Sequence, residues 1–207
     1  MADFDRKVHW ENIYQTKDFK EVSWYQARPH TSIDFIRQSG LPLNAGIIDV
    51  GGGDSLLVDH LLDMGYSNLT VLDISEAALD RARKRLGPKA ESVKWIVADV
   101  GSFVAEEVYE LWHDRAAFHF LTDEQDIAHY VRNAAKAIAP GGIMVLGTFS
   151  DQGPTRCSGI EIRQYSGEAL AKRFEEDFEK QSCTTLDHST PSGKIQNFTF
   201  CSFRRKG

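Results

Sequence analysis

The run Ile47-Ile48-Asp49-Val50-Gly51-Gly52-Gly53-Asp54-Ser55 constrains this chain more than any other stretch. Apolar residues, an acid, three consecutive glycines and then an amphipathic run from Leu56 to Met64 describe a buried strand turning sharply into a helix. Glycines in such a turn take positive φ and let a ligand approach the main chain closely. The helix behind it offers unpaired N–H groups to a polar or anionic ligand.

Two later acids repeat the pattern. Leu69-Thr70-Val71-Leu72-Asp73 is a β-rich run closed by Asp73, and Ser75 opens an Ala/Arg/Leu helix reaching Leu86. In nucleotide-binding α/β folds, an acid about 20 residues beyond the glycine turn accepts hydrogen bonds from ribose hydroxyls. A carboxylate suits that task because its oxygens only accept and can bridge a vicinal diol. Val93 to Ala98 is a third strand, closed by Asp99. Any one of these acids also reads as a turn or N-cap residue. Repetition at three strand ends favours a ligand crevice along one edge of a parallel sheet.

With Ala139-Pro140-Gly141-Gly142, these residues resemble the class I, seven-β-strand family of S-adenosylmethionine-dependent methyltransferases, from about His9 to Arg204. The resemblance implies a Rossmann-like, doubly wound α/β sheet of seven strands with a C-terminal antiparallel hairpin. It implies S-adenosyl-L-methionine as cofactor. Asp49, Gly51, Gly52 and Gly53 would face its methionine and ribose part, Asp73 the ribose hydroxyls and Asp99 the adenine amino group, with Ile74 and Val100 against the adenine. The third spaced glycine of the pattern is Ser55 here, and Gly52 is an additional one.

Composition agrees with an α/β enzyme. A length of 207 residues fits a single domain, 1–207, with 1–40 as a helical, aromatic-rich segment covering the site and 41–207 as the core. Hydrophobic residues make up 42%, enough for a core, and no window is apolar enough to span a membrane. Met1 to Trp10 is polar and charged, unlike a signal peptide. A net charge of −6 argues against a nonspecific grip on nucleic acid. Cys157, Cys183 and Cys201 are widely spaced and odd in number, which argues against a disulfide framework and for a reducing cytoplasm.

Alternation continues to Phe149. Strands are expected at Gly46 to Val50, Asn68 to Asp73, Val93 to Ala98, Glu110 to His113 and Ile143 to Phe149. Thr122 and Gln125 read as a capping box for a helix from Asp123 to Ala139, which Pro140-Gly141-Gly142 stops. Ser166 caps a helix to Phe178, and strands near Lys180 to His188 and Gln196 to Arg205 form a hairpin.

The dense polar run Trp112-His113-Asp114-Arg115-Ala116-Ala117-Phe118-His119-Phe120 follows the fourth strand, where the resemblance places the acceptor. Asp114, Arg115 and His119 are the catalytic candidates, and His113 is grouped with the cofactor residues. The bland alternative pairs Asp114 with Arg115 and buries His119 in the core. No metal site is expected, since His113 and His119 lack ligand spacing. A second candidate is Val22-Ser23-Trp24-Tyr25-Gln26-Ala27-Arg28-Pro29. Trp24 would enclose a cationic sulfonium, and Arg28 would hold the cofactor carboxylate. His9-Trp10, Tyr14 and Trp24-Tyr25 resemble the N-terminal part of the citrate synthase and elongation factor 1A lysine methyltransferase group. A third region, Thr148 to Gly159, carries Cys157, a reactive thiol or a buried hydrophobe; His188, Thr190 and Gln196 are placed near the same pocket.

The resulting reading is a methyltransferase acting on a small molecule or a protein side chain such as lysine, without nucleic-acid or membrane partners. A nicotinamide-dependent oxidoreductase shares the glycine turn and ribose acid. A noncatalytic S-adenosylmethionine-binding regulator is the other alternative.

Overall fold

A computed structural model of the chain describes residues 4–207, so the first three residues of the 1–40 segment lie outside it. Two helices, α1 (Arg6–Thr16) and α2 (His30–Gln38), precede the sheet. Then come β1 (Gly46–Val50), α3 (Leu57–Asp63), β2 (Asn68–Asp73), α4 (Glu76–Leu86), β3 (Val93–Val97) and β4 (Tyr109–Arg115). They are followed by α5 (Glu124–Ala137), β5 (Ile138–Phe149), the short pair β6 (Arg156–Cys157) and β7 (Ile160–Glu161), and α6 (Gly167–Phe174). The hairpin β8 (Phe178–Ser189) and β9 (Ile195–Arg205) closes the order.

Seven strands form one sheet in the order β3-β2-β1-β4-β5-β9-β8. The first five are parallel, and β9 and β8 add antiparallel edges. Strand order reverses between the parallel neighbours β1 and β4, the switch point outside whose carboxyl ends open α/β sheets bind ligands. All five residues of β1 are buried, as expected of a strand covered on both faces. One apolar layer joins Trp112, Phe118, Tyr130 and Phe174 beneath α5 and α6. The opposite layer joins Ile33, Leu57, Leu61, Leu79 and Phe200 beneath α2, α3 and α4.

Several boundaries move for local reasons. The N-cap of α5 is Asp123, whose carboxylate accepts from the Gln125 N–H at 2.7 Å, so the Thr122 box does not form. Pro140-Gly141-Gly142 lies inside β5 because α5 has already ended and Ile138 pairs with Tyr109. Gly142 is needed there: a Cβ would stand 2.9 Å from the Ala139 oxygen and 3.0 Å from that of Glu110. The fourth strand extends to Arg115, drawing the predicted polar run into the sheet.

One expectation is overturned. Cys183 and Cys201 are bonded as a disulfide, leaving Cys157 free. The two residues are direct partners on β8 and β9, with Cα atoms 4.1 Å apart. Antiparallel pairing brings such positions close enough for a bridge, and the register of a hairpin is not written in cysteine spacing. The inference from cysteine count to a reducing compartment therefore loses its premise. Among the described residues, no helix is long and apolar enough to cross a membrane.

Candidate active site

The glycine turn forms because β1 must reverse over its own end. Gly51 and Gly53 take φ of 65° and 52°, in the left-handed region closed to most side chains. The turn is also too crowded for any other residue. A Cβ on Gly51 would lie 2.5 Å from the Ala117 Cβ, and one on Gly53 would lie 2.6 Å from the Tyr14 hydroxyl. Gly52 is tied to β2 through its N–H to the Leu72 oxygen, 3.1 Å away. Ser55 caps the start of α3, its hydroxyl accepting from the Leu57 N–H at 3.2 Å.

Three acids surround the turn. Asp49 is buried and opposite His113 in the β1–β4 register. Its Oδ1 meets His113 Nδ1 at 2.7 Å, and His113 Nε2 meets the Ser32 hydroxyl at 2.9 Å. With a neutral ring, this chain sets Nδ1–H donating to the carboxylate and Nε2 accepting from Ser32. Asp73 accepts from the Ser75 N–H through Oδ1 at 2.8 Å, and its other oxygen lies at the Gly53 turn. Burial pushes its pKa up to about 7; the Ser75 N–H opposes this, while the charges of Asp54 and Asp49 add to it. Asp99 accepts from the Gly101 N–H at 2.8 Å and pairs with Arg6 Nε at 3.0 Å.

These groups line one cleft with an empty volume of about 940 Å³, mouth included. Of the predicted residues, Trp24, Asp49, Gly51, Gly52, Ser55, Asp73, Ile74, Asp99, Val100, His113 and Arg115 line it. Gly53 stands behind them, against Tyr14 and Asp73.

Three further predicted residues, besides Gly53, do not reach the cleft. Asp114 points to the opposite sheet face from His113 and Arg115, because strand side chains alternate. It is buried and accepts from the Ala117 N–H at 2.9 Å, the Phe118 N–H at 3.1 Å and the Tyr130 hydroxyl at 2.7 Å. Burial raises its pKa to about 6 against the pull of those donors. It fastens the β4 turn; it does not pair with Arg115. His119 is buried in a single turn of 3₁₀ helix, with Nδ1 accepting from the Phe149 N–H at 3.2 Å. Burial first, and Arg115 second, hold its pKa down to about 3, so the ring is neutral. Arg28 is exposed on the outside of the strap that carries Trp24.

The cleft also has residues that strand-end reasoning missed. Arg6, Trp10 and Tyr14 project into it from α1. Their spacing of four places them on one helix face, a signal present in the sequence. Trp10 meets Trp24 and Phe120 edge-on, with ring centroids 5.8 and 4.9 Å apart. Arg6 also pairs with Asp126 at 2.8 Å, and Glu11 accepts from the Ser75 hydroxyl at 2.8 Å. The strap is held at its other end by His188, which bonds the Ser23 oxygen at 2.8 Å. Cys157 lines the cleft as a thiol whose pKa burial raises, which keeps it protonated.

A bound adenosine derivative fits this donor and acceptor set. Asp73 and Asp99 supply acceptors at adjacent strand ends, Ile74 and Val100 supply apolar walls, and the missing Cβ atoms of Gly51 and Gly52 let Ala117, Asp49 and Val71 close up behind the turn that floors the cleft. Among the described residues there is no cluster of His, Cys, Asp and Glu side chains that could hold a metal ion.

Residues 47–142 match the methyltransferase domain family. Nodulation protein S of Rhizobium tropici is 35% identical over 83 residues, which is 40% of this chain and 34% of that protein. The EEF1A lysine methyltransferase 2 of Danio rerio is 26% identical over 157 residues, 68% of this chain and 66% of that protein. The chain spans about a third to a half of the nodulation proteins it matches. Among solved structures, the N-methyltransferase NodS of Bradyrhizobium japonicum with S-adenosyl-L-homocysteine superposes with a TM-score of 0.77 at 18% identity, covering 98% of this chain and all of that one. A structure concerned with converting a disulfide bond into a thioacetal group during echinomycin biosynthesis gives 0.79 at 17% identity, over 98% and 92% of the two chains. At such identities the likeness is one of fold.

Proposed function

We propose that this chain, a class I seven-β-strand S-adenosylmethionine-dependent methyltransferase, transfers the methyl group of that cofactor to a small molecule or a protein side chain held over β4 and β5. The observation that carries the reading is the alignment of Asp49, Asp73 and Asp99 at three neighbouring strand ends around a glycine turn, all opening into one cleft. When bound, the sulfonium supplies an electrophilic methyl group that an acceptor lone pair displaces, the sulfur keeping the bonding electrons.

The protein's part in this reading is positioning. Asp73 would take the ribose hydroxyls, Asp99 the adenine amino group, and Ile74 and Val100 the adenine faces. Asp99 would share its carboxylate with Arg6. Asp49 holds His113, and both shape the cleft between the turn and β4. Trp10, Tyr14, Trp24 and Phe120 would exclude water from the reacting centre, and holding reactants in line is the main rate advantage open to such a site. Neither His113 nor His119 would serve as a free base here: His113 is engaged at both nitrogens, and His119 is buried with Nδ1 bonded to the Phe149 N–H.

The names of the relatives point to different acceptors: an N-methyltransferase, lysine methyltransferases and an enzyme of thioacetal formation. The activity is tested by incubating the full chain with methyl-labelled S-adenosylmethionine and cell extract, then sorting label into protein and small-molecule fractions. Label in either fraction, dependent on Asp73, supports the reading. Cofactor binding without label transfer would favour a binding regulator instead.

A further inference from the structure

The C-terminal hairpin is tied covalently at its middle and reaches the strap over the cleft near its tip. β8 is an edge strand, and every residue from Glu179 to Thr185 on it is exposed. Apolar packing does little to hold such a stretch, which rests on the ladder to β9 and on the Cys183–Cys201 bridge. The bridge has one open end and one closed one: Cys183 is exposed, whereas Cys201 is fully buried in the apolar layer beneath α5 and α6. Beyond the bridge, β8 carries His188, which is buried. Its Nε2–H donates to the Ser23 oxygen at 2.8 Å, and its Nδ1 accepts from the Gln26 amide at 3.3 Å. The strap, residues 17–29, is held by other main-chain oxygens as well: Arg81 bonds that of Lys17 at 2.9 Å, Arg115 that of Trp24 at 2.9 Å and His60 that of Ala27 at 3.1 Å. Of these four anchors, His188 is the one supplied by the hairpin.

We propose that the Cys183–Cys201 bridge is a redox-sensitive latch on the strap: a dithiol reductant opens it, β8 loosens and the His188 anchor weakens. A thiolate of the reductant attacks the exposed Cys183 sulfur, the Sγ–Sγ bond breaks, and Cys201 leaves with the bonding electrons and takes a proton. The reductant's second thiol then attacks the mixed disulfide, releasing Cys183 as a thiol and leaving the reductant as a cyclic disulfide. Two electrons pass to the two cysteines. Reduced Cys201 stays in its apolar layer as a small hydrophobe, so the core survives while the edge strand loses its tie. A bridge acts mainly by restricting open conformations, so its loss makes local opening more frequent. Resting on the methyl-transfer reading, the consequence at the site is faster exchange of the cofactor through the side of the cleft that Trp24 lines.

Hydrogen exchange read by mass spectrometry on the full chain, oxidised and treated with dithiothreitol, tests the latch. Maleimide labelling in denaturant is expected to find one free thiol before this treatment and three after it. Amides of β8 should exchange about 10-fold faster once the bridge is reduced, and those of the strap about 3-fold faster, with β1 to β3 unchanged. Cys183→Ser should reproduce both changes without reductant. His188→Ala should speed exchange in the strap alone and abolish the strap's further response to reduction. Faster exchange in β8 with an unchanged strap overturns the proposal, leaving the bridge a local staple. So does a bridge that fails to form under oxidation, or that the dithiol cannot open while the protein stays folded. Should either variant not fold, the wild-type comparison still decides. Release of S-adenosylhomocysteine, followed by stopped-flow tryptophan fluorescence, should quicken about 3-fold on reduction. An unchanged release rate with a loosened strap overturns the cofactor's part of the proposal. Failure of S-adenosylhomocysteine to bind at all would sink the methyl-transfer reading, while the exchange data would still judge the latch.

Discussion

The two walls of the cleft carry opposite hydrogen-bonding character. On the β1–β3 side stand carboxylates, Asp49, Asp73 and Asp99, each at the end of a parallel strand. On the β4 side stand the donors Arg115 and Trp24, from the last residue of β4 and the segment after α1, while the Tyr14 hydroxyl sits between the walls at the Gly53 turn. The acceptor wall is built on rigid strand ends and is stocked for hydroxyl and amino groups. The donor wall is partly carried by a segment clasped onto the core through Arg6, Glu11 and His188. One wall is thus fixed by the sheet itself, and the other depends on how the N-terminal segment docks onto it.

The largest expected effect concerns the acceptor wall in the absence of ligand. Asp73 has a folded pKa of about 7, well above its ordinary value of 3.8. The folded state therefore holds a proton that the unfolded state releases between those values, and stability falls as pH rises from about 4 to about 7. The whole span amounts to up to ~4 kcal/mol. Asp73→Asn removes this titration, so urea midpoints for the variant should vary less over that window. An unchanged pH dependence would mean Asp73 is solvated and the wall is not desolvated as described.

Next in size is Asp114, which belongs to neither wall. Asp114→Ala leaves two backbone N–H groups and the Tyr130 hydroxyl without their acceptor and should destabilise by about 3 kcal/mol in urea unfolding. Loss of turnover with stability intact would instead return Asp114 to the catalytic role expected from sequence.

Asp73→Ala sharpens the contrast from the ligand's side. S-adenosylhomocysteine affinity should drop by about 1.5–3 kcal/mol, the worth of hydrogen bonds to a charged group. Calorimetry on the folded variant reads this directly. The smallest effect is at the clasp. Arg6→Ala frees the Asp99 carboxylate from a partly exposed pair, and affinity should rise by less than about 1 kcal/mol. A large fall would show that α1 holds the cofactor in place and does not compete with it.

What could be read beforehand divides along the same line. Asp49, Asp73 and Asp99 each end a short apolar run, so a local pattern located them, and the glycine turn needs positive φ that its composition announces. Arg28 and Arg115 are both basic residues near aromatics, and nothing local says that one is exposed while the other closes the cleft. The polar run Trp112 to Phe120 does not announce where the fourth strand ends; once β4 extends to Arg115, alternation sends Asp114 to the far face. Ser32 and the Cys183–Cys201 bridge depend on tertiary docking and hairpin register. The evenly spaced Arg6, Trp10 and Tyr14 were within reach of a helical-face argument.

The most direct test of the central claim is calorimetric titration of the full chain with S-adenosylhomocysteine and, separately, NAD. Micromolar binding of S-adenosylhomocysteine with no heat from NAD is the predicted result. Binding of NAD alone would contradict the assignment of this cleft and move the protein to hydride chemistry.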